Sequence, residues 1–423
     1  LKKGWDAVVE NGRLKLEPAG RPGDPNEVVI DITGKYVLPG FLEIHTHGAG
    51  LFEFTMGRYN LKQGTFDCSE AIYEQELPRY LKLRTSTGVT GIYPGTWAAS
   101  IEQEQFCFRQ LKKYMESSGN GRDGAMVFGG LLEGTFINPK MAGAQNPAYV
   151  FQPDIELFKR INESGAIRMV NVVPDHDQAG FKLIDYLTSQ GISVGAGHTE
   201  GTRDQYRKAI ECGLKYCIHF MNGPIGHSYK LFDGGGALEA VLCEDMYAEV
   251  IADGVHVSPN YVREILARKG VDRVMAVSDA MFSSQADGVT DFNISGIHGR
   301  VHESGKFVYV VGRERMTLFS SVLTMDLAFS NLLSWMTQEL EGIWHRSHEP
   351  MCFEQAMVAA ARCCSTNIAQ MIARRGGDNL ETGAIVDGKW ADLVVGELTG
   401  KAGEYSLKVN DVYVRGRRVF DKE

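Results

Sequence analysis

Through the middle of the chain, short apolar runs alternate with stretches of helical periodicity. The runs are Leu42–Ile44, Gly91–Tyr93, Met126–Leu132, Arg168–Val173, Ser193–Gly197, Tyr216–His219, Ala248–Ala252 and Arg273–Val277. Between them, stretches such as Ala71–Ser86, Ile101–Ser117, Ile155–Ser164, Thr202–Cys212 and Tyr261–Lys269 suit amphipathic helices. Strands that alternate with helices build a parallel sheet, and eight such units predict an α/β fold, a (β/α)8 TIM-like barrel. An open doubly wound sheet is the alternative, and the count of eight favours the barrel over it. Residues 283–315 break the rhythm and predict a β-rich flap, followed by helices over Ser321–Thr337 and Phe353–Ala373.

The two ends read differently. Ala7–Val9 is apolar and is followed by Asn11-Gly12, a hairpin signal. Val28–Ile32 alternates, and Gly34-Lys35 punctuates it. At the other end Gly383–Val386, Ala391–Val395, Val409–Val414 and Arg418–Phe420 are short β-like runs separated by Asp387-Gly388 and Arg415-Gly416. Neither end can bury a core alone, so the two are expected to pack together. This predicts a small β-sandwich domain from residues 1–37 and 383–423 around a barrel of residues 38–382.

Composition narrows the function. The 423 residues carry 44 basic and 53 acidic side chains, a balance of −9, with 43% hydrophobic and 23% charged residues. These are the proportions of an ordinary globular chain, not of a disordered or coiled-coil one. The negative balance disfavours nucleic acid as a partner. It leaves room for an anionic small molecule, because a local site can oppose the global sign. The eight cysteines include no C-x-x-C pair, which gives a cysteine zinc site little support and suits reduced thiols. No apolar run is long enough to span a bilayer, so no membrane partner is expected. The opening Leu-Lys-Lys-Gly-Trp lacks a signal-type apolar core, and the expected compartment is the cytoplasm.

Polar residues interrupt the pattern at one recurrent place. His45 and His47 end the first run, two apart and so on one face of a strand. Glu133 ends the third run, His198 the fifth and His219 the sixth; His256 follows the seventh, and Asp279 ends the eighth. In a barrel these positions gather at the C-terminal mouth, where such folds keep their active sites. Imidazole and carboxylate donors suit zinc or another first-row divalent ion. Of the other histidines, only His227 lies close behind a candidate ligand; the rest read as loop or surface residues.

The ordered set resembles the amidohydrolase superfamily and, within it, the N-acetylglucosamine-6-phosphate deacetylase family. The resemblance rests on Pro39–Gly48, Leu132–Phe136 with Gly143-Ala144, Gly197-His198-Thr199, His219–Asn222, Ile251–His256 and Ser278-Asp279-Ala280. The closing Gly383–Ile385 and Ala391–Val395 are similar to the superfamily's terminal β segment. It implies a deacetylase of an N-acetyl amino sugar that uses a divalent ion, zinc first, with iron, manganese or cobalt as alternatives. Glu133, His198 and His219 would hold one ion. His45 and His47 would hold a second, bridged by Glu133, in members that have it. Asp279 would be the catalytic carboxylate, and His256 would polarise the carbonyl. Ala144, Asn222, Gly223 and the Asp253–His256 segment would line the sugar pocket. A homodimer is the expected assembly.

The departures from the family pattern cluster around substrate recognition. Leu131 and Thr135 replace a His and a Pro, and Gln145 replaces a His. Lys230 stands where a phosphate-binding Arg is usual, with His227 nearby, and Leu318-Phe319-Ser320 replaces a Leu-Ala-Gly segment. Lysine can meet phosphate as a point charge but lacks the bidentate fork of arginine. The alternatives are an amidohydrolase for another N-acetylhexosamine phosphate or an N-acyl amino acid, and a barrel that binds a ligand without turning it over.

Overall fold

The structure, a computed structural model, describes residues 3–20, 27–222, 235–313, 316–373 and 380–422. The eight apolar runs form the parallel strands of a barrel: β1 (Phe41–Thr46), β2 (Val89–Pro94), β3 (Gly130–Phe136), β4 (Ile167–Val172), β5 (Ser193–Ala196), β6 (Tyr216–Cys217), β7 (Tyr247–Ile251) and β8 (Val274–Val277). Strands β3 to β8 pair in chain order, and β1 pairs with β2. The short strand Met126–Val127 extends β2 toward β3, and a bridge between Gly95 and Leu131 continues the contact. The ring closes between β8 and β1, where Asp279 N donates to His45 O at 2.8 Å and His47 N to Ala280 O at 2.7 Å. Every residue of β1, β2, β3, β7 and β8 is buried. Helices cover the outer face and side chains fill the inner one, so these runs read as continuous rather than alternating.

The predicted helices form close to their expected limits, over Glu70–Thr85, Ile101–Met115, Ile155–Ile161, Arg203–Cys212, Pro259–Lys269 and Met325–Met336. Local chemistry sets their ends. The Ser100 hydroxyl accepts from Gln103 N, and Thr202 with Gln205 forms a reciprocal cap. The long stretch after Phe353 widens at Arg362–Thr366. There Ser365 Oγ donates to Gly40 O at 2.6 Å, and Asn367 Nδ2 donates to Val271 O and Val274 O, both at 2.7 Å. These bonds tie the end of the chain's last long helical segment to β1 and β8.

The two chain ends meet in one antiparallel sheet, ordered Arg417–Asp421, Ser406–Val414, Leu393–Thr399, Tyr36–Pro39. The hairpin Trp5–Glu10/Arg13–Pro18 turns at Asn11-Gly12, both at positive φ, and docks through Leu14 N to Lys389 O at 2.8 Å. Two expected runs do not join a sheet. Val28–Ile32 is irregular and pairs with no strand among the described residues; Val28 is 89% exposed, and the strand that enters the sheet is Tyr36–Pro39. Gly383–Val386 is irregular, bent at Gly383 and Ala384, with Gly383 at φ +80 and its carbonyl taken by Thr366 Oγ1.

Two insertions flank the barrel mouth. A four-stranded meander spans Gly48–Ala49, Phe52–Glu53, Gly57–Asn60 and Thr65–Asp67, which the sequence pattern did not predict. The expected flap is a three-stranded sheet, Asp291–Ile294, Ile297–Val301 and Val308–Val310. They share one apolar cluster around Tyr59, Trp97, Phe282, Phe292 and Phe319. No helix among the described residues is long and apolar enough to cross a membrane.

Candidate metal centre

Four imidazoles converge at the C-terminal ends of β1, β5 and β6, each with its Nδ1 bound to an acceptor. His45 Nδ1 lies 2.9 Å from Glu249 Oε2, His47 Nδ1 3.1 Å from Gly95 O, His198 Nδ1 2.9 Å from Met141 O and His219 Nδ1 2.8 Å from Asn222 O. Carboxylate and carbonyl oxygens only accept, so each Nδ1 donates, and each ring is held with its Nε2 toward the mouth. The four Nε2 atoms point to one place. Glu133 Oε1 is 3.2 Å from His219 Nε2, 3.5 Å from His198 Nε2 and 3.7 Å from His45 Nε2. The other oxygen of Glu133 is 3.5 Å from His47 Nε2. Asp279 Oδ1 lies 3.2 Å from His47 Nε2 and 3.6 Å from His45 Nε2.

This donor set fits a divalent ion. The buried His45 Nε2 has no hydrogen-bond partner. Glu133 with His198 and His219, and Glu133 with His45 and His47, are two triads with their ligand atoms close enough to hold an ion. Fixing the second nitrogen of each ligating His orients the ring and sets its tautomer, as metal sites require. The charges point the same way. Burial opposes a positive charge on His45, yet the carboxylates of Glu249, Glu133 and Asp279 around it raise its pKa well above the ordinary value. Burial likewise opposes ionisation of Asp279, but the imidazoles of His45 and His47 outweigh it and bring the carboxyl to about 2. Glu133 follows the same pattern and lies well below its ordinary range. The pocket is therefore built to hold positive charge at its centre.

Local backbone aims these groups. His198, His219 and Asp279 have φ of 60°, 31° and 48°, in the left-handed region that costs a residue with a Cβ about 1–3 kcal/mol. Each ends a strand and turns its side chain into the mouth rather than along the sheet. Gly134 follows Glu133 at φ +91, and a Cβ there would meet Ala98 N at 2.6 Å. Beneath the imidazoles, Glu43 and Arg84 pair at 3.2 Å, both fully buried, and the Glu43 carboxylate accepts from Ser278 N and His45 N. This pair braces β1 against β8.

The structure gathers most, not all, of the predicted residues around a cleft of about 430 Å³. His47, Glu133, His198, His219 and Asp279 line its floor. Ala144, Gln145, Asn222, Leu318 and Ser320 form part of the wall. Gln145 is tied down: its Nε2 donates to Glu133 Oε2 at 2.9 Å, and its Oε1 accepts from Ala98 N at 2.7 Å. His256 and Asp253 do not border the cleft: His256 is buried, its Nδ1 2.6 Å from Asp253 Oδ2 and its carbonyl accepting from Asn222 Nδ2. Phe319 does not border the cleft; its ring is fully buried, edge-on to Trp97 at 5.1 Å, because the flap's apolar cluster draws it inward. Gly223, His227 and Lys230 lie outside the described residues.

Sequence reasoning missed several groups. Glu249 sits inside β7, where its Oε2 accepts from His45 Nδ1 and from His219 N at 3.0 Å. Its signal was a carboxylate within an apolar run, the same signal that Glu43 gives in β1. Trp97 stacks on His47, ring centroids 4.1 Å apart, and donates to the buried Glu53 at 2.9 Å. Burial raises the Glu53 carboxyl well above its ordinary value, against the donors Phe282 N and Trp97. Lys140 and Arg313 also border the cleft; both come from loops that carry no periodic signal.

No protein-family profile matches the chain. It is 28% identical over 410 residues to the N-acetylglucosamine-6-phosphate deacetylase of Bacillus subtilis, covering 93% of this chain and 89% of that protein. It is 29% identical over 237 residues to an N-acetylgalactosamine-6-phosphate deacetylase of Escherichia coli O157:H7, covering 55% of this chain and 58% of that protein. Among solved structures, the N-acetylglucosamine-6-phosphate deacetylase of Pasteurella multocida superposes with a TM-score of 0.78 at 21% identity, over 100% of this chain and 96% of that one.

Proposed function

We propose that this chain, a member of the N-acetylglucosamine-6-phosphate deacetylase family of the amidohydrolase superfamily, hydrolyses the acetamide of an N-acetylated amino sugar, N-acetylglucosamine 6-phosphate first among them. The products are acetate and the free amine. The observation that carries the reading is the set of four Nε2 atoms, on rings fixed by acceptors at Nδ1, that converge on Glu133 and Asp279. An inert binding scaffold has no need of that convergence.

Glu133, His198 and His219 would hold one divalent ion, zinc by preference, and His45 and His47 with Glu133 would hold a second if one binds. Such an ion lowers the pKa of water toward neutrality and polarises a carbonyl. The remaining steps belong to the chain. Asp279, ionised over the whole neutral range, accepts the proton of the attacking water and returns it to the departing amine. Ser320 Oγ, 3.1 Å from Asp279 Oδ1, steadies that carboxylate. We assign His256 to the carbonyl oxygen, its ring oriented by the contact between Nδ1 and Asp253 Oδ2. Gln145 and Glu249 are positioning residues that hold Glu133, His45 and His219.

For the sugar phosphate, the described cations at the cleft are Lys140 and Arg313. They offset the overall −9 balance at the place where a phosphate would sit. A homodimer in the cytoplasm completes the proposal.

The test is acetate release from N-acetylglucosamine 6-phosphate, its galacto and manno isomers and the unphosphorylated sugars, with metal restored after chelation. Turnover of at least one phosphorylated sugar is expected. No release from any of them removes the substrate assignment. Asp279→Asn is expected to lower kcat by about 10²–10⁴ with binding retained; full activity in that variant removes the mechanism.

A further inference from the structure

A second group of imidazoles and carboxylate lies on the outside of the barrel, and nothing in deacetylation uses it. Glu264 points from the helix Pro259–Lys269 toward the hairpin Leu340–Glu341/Ser347–His348, with its side chain fully buried. Its Oε1 accepts from three successive backbone N–H groups, those of Ile343, Trp344 and His345, at 2.6, 2.7 and 3.0 Å. Its Oε2 is 2.5 Å from His345 Nδ1. His348 Nε2 lies 3.2 Å from Glu264 Oε1 yet makes no hydrogen bond, although the side chain is only 5% exposed. One ligand atom from each of the three residues lies within 4.8 Å of the others.

Docking of the hairpin does not explain the imidazoles. Arg263 already fastens this region, its guanidinium donating to Trp335 O at 2.6 Å and Glu349 O at 2.7 Å. Asn260 Nδ2 adds a bond to Glu341 O at 2.9 Å. A buried imidazole nitrogen left unpaired carries a desolvation cost with no return. Its neighbours are a carboxylate oxygen and a second imidazole, which form a two-nitrogen, one-oxygen donor set. That set suits zinc or a similar first-row divalent ion rather than calcium or magnesium, which prefer all-oxygen shells.

We propose that Glu264, His345 and His348 form a peripheral divalent-metal site of the zinc class, with water in the remaining position. His345 is the way in, since its side chain is 52% exposed and swings out without disturbing the core. On binding, the proton between His345 Nδ1 and Glu264 Oε2 leaves to solvent, and both atoms turn to the ion. The three backbone donors keep the carboxylate in place meanwhile. The ion clamps the hairpin to the helix and has no part in the chemistry at the barrel mouth.

The experiment counts zinc in the full chain after equilibration with micromolar Zn²⁺ and removal of the excess, for the parent, His345→Ala and His348→Ala, each alongside acetate-release kinetics. Each variant is expected to hold one zinc fewer per chain with kcat/KM unchanged. Added Zn²⁺ should also raise the Tm of the parent but not of the variants. Glu133→Gln, which weakens the barrel centre, should still hold the peripheral ion. Equal zinc in the parent and both variants overturns the proposal, as does a zinc content in the parent that Glu133→Gln removes completely. Because His345 is half-exposed, His345→Ala keeps the test available if His348→Ala does not fold.

Discussion

Two groups of histidine and carboxylate stand on this barrel, and they are built on opposite plans. At the mouth, every imidazole is fixed through Nδ1 and turns its Nε2 to Glu133 and Asp279, which take side-chain donors from Gln145 and Ser320. On the outer face, Glu264 is held by three backbone N–H groups before any imidazole is counted. The first plan sets carboxylate oxygens and Nε2 atoms face to face, where a third party can come between them. The second fixes the carboxylate first and adds the imidazoles at its edge. The lesson is that His and Glu in proximity say little by themselves; what the second nitrogen and the second oxygen are doing decides what the group can do.

Removing the mouth's outer support tests this most severely. Glu249→Gln replaces a carboxylate that orients two ligands, and metal affinity is expected to fall about 10–100-fold. Metal titration of the apo variant followed by activity checks it, and unchanged affinity would show that His45 and His219 need no such hold. Glu264→Ala is the matching change outside. It removes the shared acceptor of three part-buried N–H groups and is expected to cost about 1–3 kcal/mol of stability, with kcat/KM intact. Denaturant melts and acetate release read the two halves separately. The smallest effect is in acid. Burial opposes ionisation of Glu264, but the hydrogen bonds from His345, Ile343 and Trp344 bring its pKa from 4.5 to about 2. A group depressed in the folded state stabilises above its unfolded pKa and loses that contribution as pH falls through its folded one. Parent and Glu264→Gln should therefore differ in stability at pH 6 and approach each other as pH falls from 4.5 toward 2. A gap that stays constant through that window would deny Glu264 its charge-dependent role.

The sequence was most legible where backbone period and chemistry coincide. His45, His47, Glu133, His198, His219 and Asp279 are polar residues that end apolar strands, so one rule about barrels found all six. Glu249 escaped because it lies within β7 rather than at its end, and only the closed ring brings it under His45. Trp97, Lys140 and Arg313 come from loops, whose path depends on what they pack against. Val28–Ile32 has strand-like alternation but pairs with no strand among the described residues, and a strand exists only in a pair. Thr135, noted as a departure from the family pattern, is explained by what lies behind it. Its hydroxyl donates to the buried Glu104 at 2.7 Å, and burial pushes that carboxyl up to about 8 against the bonds from Thr135 and Ala99. Proline could not supply that donor.

The positive φ of His198, His219 and Asp279 has a consequence for how this protein can change. A sequence selected only for folding would place glycine or asparagine at these strand ends, where an ordinary side chain is uncomfortable. Stability and chemistry therefore pull in opposite directions at the same three positions. Mutational drift that relaxes the backbone there erases the reaction while improving the scaffold, so a barrel of this design is poised to outlive its own activity.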